Sequence, residues 1–196
     1  SVLGDNFVAD KRIPLFSITG STRVGKSAGA IIGERLGKAI LELGGNNAII
    51  ISDLADLKMA ITSTLFGAVG TCGQRCTSTR RIIVHEKIYD EVKSNLILAY
   101  KQIKEKIGNP LQENTLVGPL IDKSAVNAFV HAIEEAKKEG GHLLFGGEVL
   151  EGPKYTSGNY VVPALIEAEN HYKIVQEETF ASILYLIKYK SIEEAI

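Results

Sequence analysis

The sequence predicts an α/β fold in two parts. Three observations carry this. β-branched strand runs alternate with helical repeats along the whole chain, glycine turns punctuate the alternation, and no internal repeat or low-complexity segment interrupts it. A strand–turn–helix–strand unit fills residues 1–45. A larger part, from residue 46 to 196, follows a boundary near Gly45–Asn46.

The elements follow in order. "IPLFSI" (Ile13–Ile18) reads as a buried strand, which leads through a glycine turn into a helix ending near Gly37. "AILELGG" is a short strand closed by Gly44 and Gly45, and "NAIIIS" is a second apolar run. Leu54 through Phe66 has helical spacing, and "RRIIVH" is a strand by its β-branched run. Ile88, Val92, Leu96, Ala99, Ile103 and Ile107 recur at helical intervals and predict one apolar stripe. "GNPLQENTLVGP" is a loop. Asp122 then caps a helix that turns Val126, Phe129, Val130 and Ile133 inward and stops at Gly140–Gly141. "HLLFGG", "NYVVPALI" and "SILYLIKY" are the later strands. "SIEEAI" opens a helix in which Ser191 and Glu194 form a capping box.

The composition is that of an ordinary soluble globular chain. A net charge of −1 gives no footprint for nucleic acid, and no apolar run approaches a bilayer span. Two cysteines, Cys72 and Cys76, make no disulfide framework, which fits a reducing compartment such as cytoplasm or mitochondrial matrix. No Cys or His cluster has ligand spacing, so no metal is expected. The strand at Ile13–Ile18 lacks a preceding partner, and the last helix is cut short. The chain therefore reads as a fragment of a longer parent.

The stretch "TGSTRVGKSAG" raises two nucleotide readings. Gly20 to Ser27 matches G-x-x-x-x-G-K-S, the P-loop of ATP and GTP hydrolases, and Asp53 after "AIII" could supply its magnesium ligand. The same turn, at a helix N-terminus with unpaired N–H groups, also suits a dinucleotide pyrophosphate. "LELGG", "GQRC" and "EETF" have no role in an NTPase.

With those motifs in place, the chain resembles the aldehyde dehydrogenase superfamily, and within it the antiquitin-like group of α-aminoadipic semialdehyde dehydrogenases. "TGSTRVG", "LELGGNNAII", "AVGTCGQRCT", "GNP", "GPL", "EEAKKEGG" and "EETFASILY" occur in family order over essentially the whole chain. The resemblance implies an aldehyde dehydrogenase-like fold: the last part of a Rossmann-type NAD domain in 1–45, and an α/β catalytic domain with a parallel-rich sheet in 46–196. It implies NAD-dependent oxidation of an aldehyde to the acid through a cysteine thioester, in lysine catabolism, by a homo-oligomer (dimer or tetramer). NADP stays open as the cofactor.

Carried over by motif, Cys76 is the nucleophile and Glu42 the base that activates water, although 34 residues separate them. Gly20, Ser21, Thr22, Val24 and Gly25 contact the NAD pyrophosphate. Leu43 and Gly44 approach the nicotinamide, Glu178 bonds its ribose, and Phe180 packs nearby. Arg75 and Thr77 line the substrate pocket; Arg75 either clamps a substrate carboxylate or shapes the loop through an internal salt bridge. Cys72 is structural. Two departures stand out: Ser182 where the family has proline, which removes a backbone constraint, and Ile18 where it prefers an aromatic. The upstream asparagine of the oxyanion hole falls outside this sequence, so the fragment alone is expected to be nearly inactive. Two other classes remain: a P-loop NTPase, and a non-catalytic structural or interaction module.

Overall fold

The computed structural model describes residues 2–196, which divide into two compact units between Gly45 and Asn46.

In the first unit, strand β1 (Leu15–Thr19) pairs in parallel with β2 (Lys38–Glu42), with helix α2 (Thr22–Glu34) as the crossover. Sequence reading missed α1 (Val2–Ala9). Its anchor is Phe7, whose ring meets Phe16 of β1 edge-on at 5.1 Å. Arg35 lies over that same Phe16 ring and donates to the Val8 and Ile13 carbonyls, at 3.2 and 2.8 Å. One side chain thus joins the three segments. Helix α2 starts where Ser21 Oγ accepts from the Val24 N–H at 3.3 Å, and it buries Gly25, Ala28 and Ile32 at helical spacing.

The second unit is built on a five-stranded sheet ordered β3 (Ala48–Ile51), β4 (Arg81–His85), β7 (Ile183–Tyr189), β6 (Ala164–Glu167) and β5 (His142–Phe145). All neighbours run parallel except β5, which is antiparallel to β6. The parallel-rich α/β expectation holds. β7 is central and buried at every position but Lys188, as a parallel strand covered on both faces must be. Helices α3 (Leu57–Val69), α4 (Tyr89–Lys104) and α5 (Lys123–Lys138) complete the core, with short helices α6 (Lys173–Gln176) and α7 (Ile192–Ala195).

Four local expectations need correction. The buried stripe of α4 runs through Tyr89, Val92, Leu96, Tyr100 and Ile103, so Tyr100 takes the place given to Ala99. Its ring packs edge-on against Phe145, and Ile88 and Ile107 lie outside the helix. On α5, Val130 is exposed at the margin of the apolar face, and Ala132 and Ala136 are buried instead. Only the second half of "NYVVPALI" is strand; Val161 makes an isolated bridge to Val149. The capping box of α7 is displaced: Ser191 makes no side-chain cap, and the Glu194 carboxylate accepts from the Lys190 N–H at 2.8 Å.

Candidate active site

The glycine turn of the first unit is two residues long. β1 ends at Thr19 and α2 begins at Thr22, so the N–H groups of Thr22 and Arg23 have no intrahelical acceptor. Gly20 N–H donates to the Glu42 carbonyl at 3.0 Å, which ties the turn to the end of β2. Gly25 lets the Leu43 side chain lie directly on α2: a Cβ there would fall 2.4 Å from Leu43 Cδ1. Gly20, Ser21, Thr22, Val24, Gly25, Leu43 and Glu42 therefore converge within this unit, and the Glu42 side chain is exposed at the strand end. Lys26 and Ser27 lie inside α2, past its first residues, and Gly25 N–H already bonds Ser21 O at 2.9 Å. The eight-residue P-loop cradle does not form, because its residues from Thr22 onward are already helix. Asp53, its suggested magnesium ligand, instead pairs with Lys87 at 3.0 Å.

In the second unit, α3 runs into a left-handed turn. Thr71, Cys72 and Gly73 have φ of 54°, 51° and 70° in succession. For the two non-glycine residues this costs roughly 1–2 kcal/mol each. Packing holds the turn in place. Cys72 is buried, and a Cβ on Gly73 would meet the Ala181 backbone at 2.4 Å. Burial pushes the Cys72 thiol up to about 12, opposed by a backbone hydrogen bond from Ser182. Cys76, four residues on, is exposed. Its carbonyl accepts from Asn47 Nδ2 at 2.7 Å, and the same amide nitrogen reaches the Ser78 carbonyl at 2.9 Å. The Cys76 N–H is hydrogen-bonded to no described residue.

Arg80 fills the inside of this loop. It is 1% exposed, and its guanidinium donates to the carbonyls of Ser78, Arg75 and Thr179 at 3.0, 3.1 and 3.2 Å. Its Nη2 stands 3.2 Å from Glu178 Oε1, an ion pair outside hydrogen-bond alignment that leaves Oε1 without a hydrogen-bond partner. Phe180 lies over the guanidinium at 5.3 Å. Burial lowers the Arg80 pKa, and the Glu178 and Cys76 charges oppose that shift.

Arg75 folds back onto the end of α3. Its guanidinium lies over the Phe66 ring at 5.2 Å and donates to the Phe66 carbonyl at 3.3 Å. No described carboxylate forms an ion pair with it, so the loop is not shaped by an internal salt bridge there. Thr77 is exposed beside Cys76. Ser182 supplies its own constraint in place of a proline ring: its buried hydroxyl donates to the Ala68 carbonyl at 3.1 Å. Among the described residues, no group of His, Cys, Asp and Glu side chains could hold a metal. No described helix is long and apolar enough to cross a membrane.

The exposed thiol on a strapped loop and the short glycine turn coincide with a family match that spans residues 1–196, to the model of the aldehyde dehydrogenase family. The chain belongs to the aldehyde dehydrogenase family. It is 51% identical over 193 residues to rat alpha-aminoadipic semialdehyde dehydrogenase, covering 98% of this chain and 35% of that protein. It is 48% identical to the pea aldehyde dehydrogenase family 7 member A1, covering 99% of this chain and 37% of that protein. Solved structures agree. Staphylococcus aureus betaine aldehyde dehydrogenase in complex with NAD+ superposes with a TM-score of 0.94 at 31% identity, over 98% of this chain and 38% of that one. HpcC from Thermus thermophilus gives 0.93 at 35% identity, over 98% of this chain and 38% of that one. The chain thus spans little more than a third of the length of these proteins.

Sequence reading missed Arg80 and Asn47. Neither carries a local signal. Arg80 opens an ordinary strand run, and its partner Thr179 is 99 residues away.

Proposed function

We propose that the protein carrying this chain oxidises an aldehyde to its acid with NAD, through a thioester on Cys76. One observation carries the reading: in an aldehyde dehydrogenase chain, the exposed Cys76 presents an N–H that bonds no described residue. The thiolate sulfur adds to the aldehyde carbon, and the carbonyl oxygen becomes an alkoxide. The Cys76 N–H donates to that developing charge. Collapse of the adduct re-forms the carbonyl as a thioester and expels hydride. When bound, NAD supplies the acceptor for that hydride. Glu42 then removes a proton from water, which attacks the thioester, releases the acid and returns the Cys76 thiolate.

The residues present fit NAD. The Thr22 and Arg23 N–H groups at the start of α2 suit pyrophosphate oxygens, with Gly20, Ser21, Val24 and Gly25 shaping the turn. The Glu178 carboxylate, held through Oε1 against Arg80, suits a ribose hydroxyl, with Phe180 beside it. Leu43 and Gly44 follow the base and suit a flat ring. Residues 1–45 then form the end of the NAD-binding domain and residues 46–196 the catalytic domain. Arg75, a cation with no carboxylate partner among the described residues, suits a substrate with a distal carboxylate, as in aminoadipic semialdehyde, and Thr77 follows Cys76. The isolated chain is proposed to turn over poorly, because Cys76 N–H is one oxyanion donor and the loss of a second costs about a hundredfold or more.

The test is NADH formation from aminoadipic semialdehyde, on the full-length parent and this chain in parallel. The parent is expected to be active and Cys76→Ala to lower kcat by roughly a thousandfold or more. A parent that forms no NADH with this aldehyde or any of a panel would sink the reading.

A further inference from the structure

We infer that Arg80 is the positioning residue that aims the Cys76 N–H at the substrate oxygen and, with the same guanidinium, fixes the Glu178 carboxylate. The inference rests on the dehydrogenase reading for what is aimed at, and on the loop geometry for how.

The argument starts from peptide planarity. The Arg75 carbonyl and the Cys76 N–H belong to one trans peptide, so they point in opposite directions. Arg80 Nη2 holds the Arg75 carbonyl inward at 3.1 Å, and the Ser78 N–H holds it from a second side at 3.0 Å. The Cys76 N–H must therefore face out of the loop, where it bonds no described residue. The Gly73 carbonyl also turns toward Nη2, at 3.5 Å, and the Ser78 carbonyl toward Nη1. The loop is wound around a cation, with its acceptors inside and its donor outside.

The same fork reaches the second loop. Nε donates to the Thr179 carbonyl at 3.2 Å, and Nη2 stands 3.2 Å from the Glu178 carboxylate. Phe180 closes over the top. A planar guanidinium can hold both loops at fixed angles; an ammonium offers charge without the fork. Burying an arginine costs several kcal/mol unless its donors are satisfied, and here they are spent on those two loops. A residue needed only to fill the core would not require a charge.

Arg80→Lys and Arg80→Met, made in the full-length parent, separate the fork from the charge. For Arg80→Lys, kcat is expected to fall about a hundredfold, the scale of one misplaced oxyanion donor. The aldehyde KM should stay within about threefold, because ground-state binding is not the interaction lost. For Arg80→Met, which loses the fork and the charge together, kcat is expected to fall at least as far as for Arg80→Lys. Folded Arg80→Lys with wild-type kcat would overturn the inference.

Residue-resolved amide exchange on the wild-type parent tests the geometry without turnover. The Cys76 N–H should exchange near its intrinsic rate, and the Ser78 and Arg80 N–H groups, bonded to Arg75 O and Asn47 O, should be protected. This decides the matter if the variants do not fold: a protected Cys76 N–H overturns the inference, and an open one beside a protected Ser78 supports it. An inactive wild-type parent with that same open pattern would remove the dehydrogenase reading and leave the positioning intact.

Discussion

The glycine turn of the first unit and the cysteine loop of the second both present backbone N–H groups, but by opposite means. At Gly20–Thr22 the donors are free because a helix begins there, and every helix leaves its first N–H groups unpaired. Nothing is strained, and the residues sit largely in solvent. At Gly73–Ser78 the donor is free because the rest of the loop has been forced the other way. A left-handed turn enters it, a buried arginine fills it, and Asn47 ties down its far side. The first arrangement is local and cheap. The second depends on contacts from distant parts of the chain.

Matched glycine substitutions should separate the two most widely. At Gly73 the φ of +70° already disfavours a side chain, and a new Cβ would strike the Ala181 carbonyl carbon and oxygen at 2.4 Å. Backbone cannot swing aside as a side-chain tip can, so Gly73→Ala is expected to cost about 3 kcal/mol or more. At Gly20 the nearest atom to a new Cβ is Val24 Cγ1 at 3.6 Å, ordinary contact. Gly20→Ala should change stability by no more than about 0.5 kcal/mol. Urea unfolding of both variants reads the difference. Equal losses would mean that the cysteine loop is no more constrained than the turn.

The contrast also explains what the sequence revealed. The turn was legible because its signals are adjacent: an apolar strand, Gly20, Ser21 as cap, and a helical repeat after it. The strands of the second unit were legible for the same reason. The role of Arg80 was not, because its acceptors lie on two loops separated by about a hundred positions. Of the two readings of Arg75, the internal salt bridge does not form with any described carboxylate, and the end of α3 offers an aromatic face and a carbonyl instead. α1 lacked caps and a clear apolar stripe; contacts from elsewhere in the unit hold it, among them Phe7 against Phe16 and Arg35 on the Val8 carbonyl. Ser182 looked like a lost constraint from sequence, and in three dimensions its hydroxyl restores one.

pH sharpens the comparison further, because the cysteine loop buries an ionisable group at its entrance. The Cys72 thiol is pushed up to about 12 from an ordinary value of 9.0, chiefly by burial. The folded chain thus holds this proton where the unfolded chain has lost it. The resulting stability is fully present below pH 9 and is lost as pH rises toward 12, with a slope approaching about 1.4 kcal/mol per pH unit. The hydroxyls of Tyr89, Tyr100 and Tyr185 are also raised by burial and add to the alkaline slope. Cys72→Ala isolates the thiol: its unfolding free energy should fall less steeply between pH 9 and 12 than that of wild type. Identical slopes would mean that the thiol ionises in the folded state without penalty.

The smallest effect tests the strain itself. Thr71 is exposed, yet it holds φ of 54°, where a β-branched side chain is crowded against its own backbone. Asparagine tolerates that conformation and adds none of the unfolded-state freedom that glycine would bring. Thr71→Asn is therefore expected to stabilise the second unit by about 0.5–1 kcal/mol. At Thr22, the first residue of α2, the backbone is ordinary right-handed helix, and threonine and asparagine have nearly equal helix propensities. Thr22→Asn should leave stability unchanged. A gain at position 71 alone, measured as a shift in urea midpoint at constant m-value, would show that the left-handed turn is held under strain by its surroundings. A neutral result at both would mean that packing around Cys72 relaxes the turn fully, and that the cysteine loop is set by Arg80 without stored strain.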